Sequence, residues 1–220
     1  MINTLSLLFV LGSSLWTLSA CRSTQHSSLH DDATDPRPIF NVSAELFQNS
    51  SLPFLTHISA DPMQNYLAMN IQYAPVEALR EELQKQLPYK LKNRGEAHIT
   101  VINPIEYKTN LMSAISMDTI HQIAQAHAIQ SSSFQALCLG HGSKVLDGVL
   151  EHAWFIVLRS PQLLTLRQEI QDAFLTAGGE KGRFDSQLYY PHITLGFTKR
   201  DLHLEDGVVK DESSCVYDLM

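Results

Sequence analysis

Basic residues are few in this sequence, and they form no long run. Among 220 residues there are 16 Lys or Arg against 23 Asp or Glu, so the formal net charge is −7 at neutral pH. Proteins that hold long nucleic acids neutralise the phosphates with clustered Lys and Arg. The composition therefore argues against a groove for long nucleic acid. A small anionic ligand held by a few well-placed groups remains compatible with it.

Cysteine is also scarce, since the chain has only three. Cys138 lies in the apolar segment 134–139, where we expect a buried strand residue, and Cys215 lies near a polar C-terminal segment. Two such cysteines do not make a disulfide framework, and the sequence leaves open whether they pair. The histidines show no zinc-like spacing with cysteines. We therefore predict neither a metal site nor a cofactor.

A long apolar run occurs only at the N-terminus. Residues 5–18 are strongly apolar, which suits a signal peptide at 1–20 better than a membrane span. The segment LSAC at 18–21 resembles the lipobox of bacterial lipoproteins, although no Lys or Arg precedes the apolar run. We therefore expect Cys21 to be the lipid-attachment residue. An ordinary secretory signal, cut after a small residue, is the alternative.

The rest of the chain divides into a tether and a domain. Residues 21–38 are rich in Ser, His, Asp, Thr and Pro and have little to bury, so we expect a flexible tether. We place the folded domain at 39–220 and expect it to be a monomer. A lipid on Cys21 would hold this domain at a membrane of the bacterial cell envelope, facing the periplasm or the exterior.

The first half of the domain reads as strand, helix and strand. Alternating side chains predict a strand near 66–73, and Pro75 then opens a helix with one apolar stripe, which Pro88 ends. A second strand is predicted over 96–103, and a weaker helix near 116–127.

The second half repeats this order. Strands are predicted near 134–139 and 154–158, followed by a helix that Ser160 caps and a last strand at 192–197. The repeated order predicts an α+β fold. We expect two pseudo-symmetric lobes of antiparallel sheet with flanking helices around a central cleft.

Each half contains the same short pattern: a histidine, a β-branched apolar residue, a threonine and another apolar residue. The copies read AHITV, with His98 and Thr100, and PHITL, with His192 and Thr194. Because side chains alternate along a strand, each histidine points to the same face as its threonine. Two such strands side by side would place two imidazoles and two hydroxyls around one small space, which suits a phosphate.

This set of side chains matches what a phosphodiester displacement requires. A base must activate the attacking hydroxyl or water, and an acid must protonate the departing oxygen. Histidine can do either, because its ordinary pKa of about 6.5 lets one ring be neutral while another is protonated. Threonine hydroxyls can donate hydrogen bonds to the non-bridging oxygens, where charge develops. The scheme requires no metal ion, and the sequence leaves open which histidine is the acid.

The paired motifs resemble those of the two-histidine (2H) phosphoesterase superfamily. The segments RGEAHITVI at 94–102 and YPHITLGFTKRDLH at 190–203 are similar to the 2H domain of Swiss army knife RNA-repair proteins. The similarity extends over most of the chain from about residue 66 to residue 207. Two His-x-Thr motifs in matching strand contexts are far more specific than one.

The resemblance implies a metal-independent phosphoesterase that acts on 2′,3′-cyclic phosphates or related phosphodiesters. It implies His98 and His192 as the catalytic pair and Thr100 and Thr194 as the phosphate-binding pair. The expected substrate is a nucleotide or an RNA end. The alternative is a non-catalytic module that binds an anionic or phosphorylated ligand in the cell envelope, and a third possibility is an enzyme for a non-nucleotide phosphodiester.

Several other side chains border the motifs. The residues that could contact a base or a phosphate are Arg94, Tyr89 and Tyr190, and the histidines that could approach the cleft are His141, His152 and His203. Structural roles are about equally expected for the first three. The run KRD at 199–201 is expected to be a solvated strand end.

Overall fold

A mixed sheet of seven strands forms the centre of residues 38–220, the part of the chain that the computed structural model describes. Its strands are β1 (Ile39–Phe40), β2 (Leu67–Asn70), β3 (His98–Ile102), β4 (Gln135–Leu146), β5 (Val149–Arg159), β6 (His192–Phe197) and β7 (Cys215–Leu219). Across the sheet they follow the order β1-β7-β4-β5-β6-β3-β2. Strand β1 runs parallel to β7, and the other neighbouring pairs are antiparallel.

Four α-helices accompany the sheet in this part of the chain. They are α1 (Tyr73–Gln84), α2 (Pro104–Glu106), α3 (Met117–Ala126) and α4 (Pro161–Thr176), and a π turn over Tyr107–Leu111 follows α2. Serine caps begin two of them: the Ser116 hydroxyl accepts from the Thr119 N–H, and the Ser160 hydroxyl accepts from the Leu163 N–H. The α+β class predicted from the sequence is confirmed.

The bounds of some elements differ from those predicted. Helix α1 begins ahead of Pro75, which lies in the first turn, where its missing N–H costs no hydrogen bond. The strands predicted near 134–139 and 154–158 are parts of one longer hairpin, β4–β5. Its turn contains Asp147 and Gly148, with φ of 53° and 79°. Positive φ at both turn positions matches the twist of a tight hairpin.

The two motif strands are hydrogen-bonded neighbours. Strands β3 and β6 pair antiparallel at Ile99 and Ile193. They therefore lie side by side and present the same face to one cleft. The sheet continues through this junction, and its β1–β7 pair is parallel rather than antiparallel. The division into two pseudo-symmetric lobes stays a prediction.

The two faces of the sheet have different surroundings. One face packs in a large core with apolar residues of α1, α3 and α4, and Ile99, Val101, Ile193 and Leu195 point into it. The other face carries a smaller apolar cluster that includes Phe155. Because side chains alternate, the motif histidines and threonines project on this second face. The large core thus supports the strands, and the second face is left for the site.

A disulfide joins Cys138 of β4 to Cys215 of β7. The two strands are antiparallel neighbours, and the Cα atoms are 5.7 Å apart, within the usual range for a bridge. The sequence had left this pairing open. It could not be inferred from spacing, since 77 positions separate the two cysteines and β7 was not predicted.

Replacing both cysteines with alanine is expected to lower the free energy of unfolding by about 2–4 kcal/mol, because the unfolded chain regains the entropy of the open loop. Urea unfolding of the wild type and of Cys138→Ala/Cys215→Ala, each with and without dithiothreitol, measures this. Reduction should bring the wild type close to the variant and leave the variant unchanged. Equal stability of the oxidised wild type and the variant would contradict a stabilising cross-link.

The N-terminal predictions lie outside the described residues. They are the signal peptide at 1–20, lipid attachment at Cys21 and, apart from residue 38, the tether at 21–38. Within residues 38–220, no helix has the length and apolar character needed to cross a membrane. Export and lipid attachment stay predictions.

Candidate functional site

The four motif side chains come together at one cavity. In both strands the histidine and the threonine are half-buried, while the apolar residue between them is buried. The antiparallel register sets His98 beside Thr194 and Thr100 beside His192. The two histidines are therefore diagonal neighbours across the two strands, and the backbone positions of such residues are about 7–8 Å apart. All four line a cavity of about 810 Å³.

Both ring nitrogens of His192 have hydrogen-bond partners. Its Nδ1 lies 2.8 Å from the Tyr190 carbonyl oxygen, which only accepts, so the hydrogen-bond pattern assigns the proton to Nδ1. Its Nε2 then accepts from the Lys210 ammonium at 3.0 Å. Burial and the adjacent positive charge of Lys210 both lower the pKa of His192. The ring is neutral at neutral pH, with its lone pair on Nε2.

Asp201 connects the second motif to Lys210. One of its carboxylate oxygens accepts from the Thr194 hydroxyl at 2.8 Å, and the other accepts from the Lys210 ammonium at 2.9 Å. Burial by itself raises the pKa of Asp201, but the charge and hydrogen bond of Lys210, together with the nearby rings of His192 and His203, outweigh it and hold this pKa well below its usual range. The carboxylate is thus ionised, and the single hydroxyl proton of Thr194 is donated to it.

The surroundings of His98 are more acidic. Its Nδ1 lies 3.7 Å from a carboxylate oxygen of Glu96, and its ring lies near Tyr66. The pKa of His98 lies below its ordinary value, because burial lowers it most, Arg94 and His57 lower it further, and the Glu96 carboxylate offsets this only in part. Protonated His98 would have a carboxylate beside it, whereas protonated His192 would face an ammonium.

The cavity extends well beyond the four motif residues. On the side of His98, the rings of His57 and Tyr66 stack with centroids 3.9 Å apart. Both residues line the cavity, together with Arg94. The volume of about 810 Å³ lies in the range of small-molecule sites and leaves room for more than a phosphate.

A comparison with known protein families now bears on this geometry. The family described as "Swiss Army Knife, 2H phosphoesterase domain" matches residues 65–203, which is more than half of the chain. The chain belongs to this family. The comparisons with curated proteins and with solved structures found no match. Membership supports a phosphoesterase hydrolase. The matched segment runs from just before β2 to His203, and Lys210 lies after it.

The neighbouring side chains chosen from the sequence fall into two groups in this 2H phosphoesterase. Arg94, Tyr190 and His203 line the cavity. Tyr89 lies on the other face of the sheet, where its ring stacks on His152 with centroids 4.2 Å apart. His152 and His141 are hydrogen-bonded to each other at 2.9 Å, and neither lines the cavity.

Sequence reasoning overlooked three residues of the site. Asp201 was expected at a solvated strand end, which is wrong: it is buried because the adjacent Leu202 is fully buried and draws the segment inwards. The signal available in the sequence was the apolar Leu202 directly after the acidic residue. Lys210 and His57 follow no pattern that marks them, because each reaches the cavity from a segment outside the motif strands.

The described residues contain no group of three or more His, Cys, Asp or Glu side chains arranged to hold a metal ion. The prediction that the site needs no metal therefore has to be tested in solution.

Proposed function

We propose that this 2H phosphoesterase hydrolyses a cyclic phosphodiester, namely the 2′,3′-cyclic phosphate of a nucleotide or of an RNA end, without a metal ion. His98 and His192 would act as acid and base, and Thr100 and Thr194 would hold the phosphate. For this, the Thr194 hydroxyl, which donates to Asp201 in the free protein, would have to turn to a phosphate oxygen. The observation that carries this proposal is that all four side chains share one face of two adjacent strands at the cavity floor.

The hydrogen bonds of His192 favour this residue as the base, and the nearby Glu96 carboxylate favours His98 as the acid. With its proton on Nδ1, His192 keeps a lone pair on Nε2 that can take a proton from the attacking water. The water oxygen forms a bond to phosphorus, and the bond from phosphorus to one ribose oxygen breaks. Protonated His98, stabilised by Glu96, gives its proton to that oxygen. His192 takes up one proton and His98 releases one, so the protons of the step balance.

The size and walls of the cavity support a nucleotide-sized substrate. The stacked rings of His57 and Tyr66 offer a flat aromatic surface against which a base could lie. The net charge of −7 disfavours long nucleic acid, whose binding draws on many cationic contacts. A single nucleotide or a short RNA end fits both observations.

The test is a substrate panel assayed with the purified protein in EDTA. The panel contains 2′,3′-cyclic nucleotides, short RNAs with cyclic ends, and phosphodiesters without a base. We expect hydrolysis of the cyclic nucleotides or RNA ends at an undiminished rate in EDTA. Exclusive turnover of the base-free esters would contradict the nucleotide assignment, and loss of activity in EDTA would contradict metal independence.

One observation favours a second candidate, a non-catalytic module that binds an anionic or phosphorylated ligand in the cell envelope. The Lys210 ammonium occupies Nε2 of His192, the atom that a base would use. A site that keeps this contact when an anion enters would bind without reacting. Thermal stabilisation by phosphate, combined with no turnover of any panel member, would favour this candidate.

We also infer that the protein is exported, attached to a membrane through a lipid on Cys21, and monomeric. The apolar segment 5–18 and the LSAC sequence at 18–21 support export. The Cys138–Cys215 disulfide supports it too, because disulfides persist mainly in oxidising compartments. Incorporation of labelled palmitate into the wild type but not into Cys21→Ala distinguishes lipid attachment from ordinary secretory cleavage, and the elution volume on a calibrated sizing column checks the monomer.

A further inference from the structure

Lys210 is a buried lysine that takes part in no step of the proposed hydrolysis. Only 3% of it is exposed. Its ammonium donates to Asp201 at 2.9 Å and to His192 Nε2 at 3.0 Å, and it lies 5.1 Å from the centre of the Phe155 ring. A lysine is rarely buried this deeply unless it is paired, and here the pairing directs it at the reactive atom of a motif histidine.

The contact with Nε2 has a chemical consequence. An ammonium carries three donors and no acceptor, so it can bind only the lone pair of Nε2. It therefore favours the neutral ring with its proton on Nδ1, the form that the Tyr190 carbonyl also favours. As long as the contact lasts, however, Nε2 cannot accept a proton from water. The ammonium has to move before His192 can act as a base.

An entering phosphate offers the ammonium a stronger hydrogen-bond acceptor than Nε2 of His192. Hydrogen bonds from an ammonium to an anionic oxygen are stronger than those to a neutral ring nitrogen. The other donor expected for the phosphate on this strand, the Thr194 hydroxyl, is already donated to Asp201. Asp201 also holds Lys210 within reach of the cavity, which both of these charged residues line.

We propose that Lys210 is the cationic residue of the phosphate site. In the free protein it holds His192 as the Nδ1–H tautomer, and when the ester enters, the ammonium redirects this hydrogen bond from Nε2 to a phosphate oxygen, which frees Nε2. No covalent bond of Lys210 changes in this exchange. The inference rests on the proposed function in so far as the ligand is a phosphate ester.

The charged groups around His192 set the direction of the expected change. The titratable groups that face it are Lys210, Asp201 and His203, while Glu96, Arg94 and His57 belong to the surroundings of His98. Lys210 lowers the pKa of His192 and Asp201 raises it, with Lys210 the stronger of the two. Removing the ammonium should therefore raise the pKa of His192.

The first test uses NMR of protein with ¹⁵N-labelled histidine and needs no substrate. In the wild type, His192 should show the Nδ1–H tautomer and a pKa below the ordinary imidazole value. In Lys210→Met this pKa should rise. Lys199→Met is the matched control, since Lys199 is half exposed and pairs with the exposed Asp147. The Tyr190 carbonyl should keep the tautomer the same in both variants, so the pKa is the readout: an unchanged pKa of His192 in Lys210→Met would overturn the proposal.

A second pair of variants keeps the test valid if Lys210→Met folds poorly. Loss of the lysine leaves the buried Asp201 carboxylate unpaired, which is destabilising. Lys210→Met/Asp201→Asn removes both charges, and an asparagine oxygen can still accept from Thr194. The pKa of His192 should again rise, since the stronger of the two charges is gone. Lys210→Arg keeps a cation and should hold this pKa low.

The phosphate contact is tested by titrating inorganic phosphate into the same samples. We expect Lys210→Met to bind phosphate at least about tenfold more weakly than the wild type, because a charge-assisted contact is lost. Lys199→Met should bind it as the wild type does, and equal binding by Lys210→Met would overturn the proposal. If the wild type binds phosphate in this way yet hydrolyses no panel member, the proposed function fails and the assignment of Lys210 stands.

With an active substrate, the pH dependence of kcat/KM adds a readout that a purely structural lysine would not move. The acid limb of the profile reports protonation of the base in the free enzyme. Because the pKa of His192 rises without Lys210, this limb should shift to higher pH in Lys210→Met and stay in place in Lys199→Met. If kcat/KM of Lys210→Met fell at every pH without a shift of the acid limb, this would contradict a role of Lys210 in positioning the proton of His192.

Discussion

Alanine in place of either His98 or His192 is expected to lower kcat for the cyclic phosphodiester by about 10²–10⁴-fold, the usual contribution of a placed acid or base. Each histidine would move a different proton of the same displacement, so neither can replace the other. Both rings are on the cavity side of the sheet, opposite the large core. The variants should therefore keep the fold and its circular dichroism spectrum.

His127→Ala is the matched control for these two variants. His127 follows α3 and contacts Glu169 of α4 at 3.1 Å, away from the cavity. Its replacement should leave kcat and KM unchanged. The double variant His98→Ala/His192→Ala should lose little more than the worse single variant, because residues that act in one step are not additive. Hydrolysis at the wild-type rate by either single variant would remove that histidine from the mechanism.

Replacing Arg167 with methionine is expected to lower the free energy of unfolding by about 3–5 kcal/mol, the usual cost of breaking a buried ion pair. Only 1% of Arg167 is exposed, and its guanidinium forms a two-pronged pair with the Glu106 carboxylate at 2.8 and 3.0 Å. It also lies 4.8 Å from the ring centre of Phe184 and 4.9 Å from that of Tyr189. The variant loses all of these contacts and leaves Glu106 without its partner.

Arg167 also orders the segment that leads to the second motif. Its guanidinium donates to four backbone carbonyl oxygens, those of Val101, Asp185, Ser186 and Leu188. Three of these lie just before Tyr190, whose carbonyl orients His192. We therefore expect Arg167→Met to lower kcat as well, even at temperatures at which the protein is still folded.

Two comparisons make the Arg167 test specific. Arg167→Met/Glu106→Leu removes the unpaired carboxylate and should recover part of the lost stability. Arg183→Met is the surface control, because Arg183 is about half exposed and pairs loosely with Glu180 at 3.7 Å. Its effect should stay within about 0.5 kcal/mol. Urea unfolding measures all three variants, and a loss below about 1 kcal/mol for Arg167→Met would contradict a structural ion pair.

The elements that the sequence predicted best are those whose pattern is local. Strand β6 was predicted at 192–197 and spans His192–Phe197. The serine cap of α4 was also predicted correctly, because a cap depends on residues within one turn. The full length of the hairpin β4–β5 was not predicted. Its outer part extends beyond the core, and exposed apolar residues there, such as Val145 and Val149, interrupt the alternation of apolar and polar side chains.

Strands β1 and β7 were missed for a different reason. Each is short, and β1 pairs with a strand from the other end of the chain. A two-residue strand is too short to show a periodic pattern, so the sequence cannot predict that β1 pairs with β7. The same limit applies to Cys138 and Cys215, whose approach depends on β7 lying beside β4.

The sequence by itself determined that each motif presents a histidine and a threonine on one face of a strand, because alternation is a property of the strand alone. Only the tertiary structure decided which side chains meet them. The pairing of β3 with β6 sets each histidine beside the other motif's threonine. The Asp201 carboxylate then accepts a hydrogen bond from the Thr194 hydroxyl, and the Lys210 ammonium donates one to Nε2 of His192. These contacts join separate segments of the chain, so they exist only once the sheet and its loops have folded.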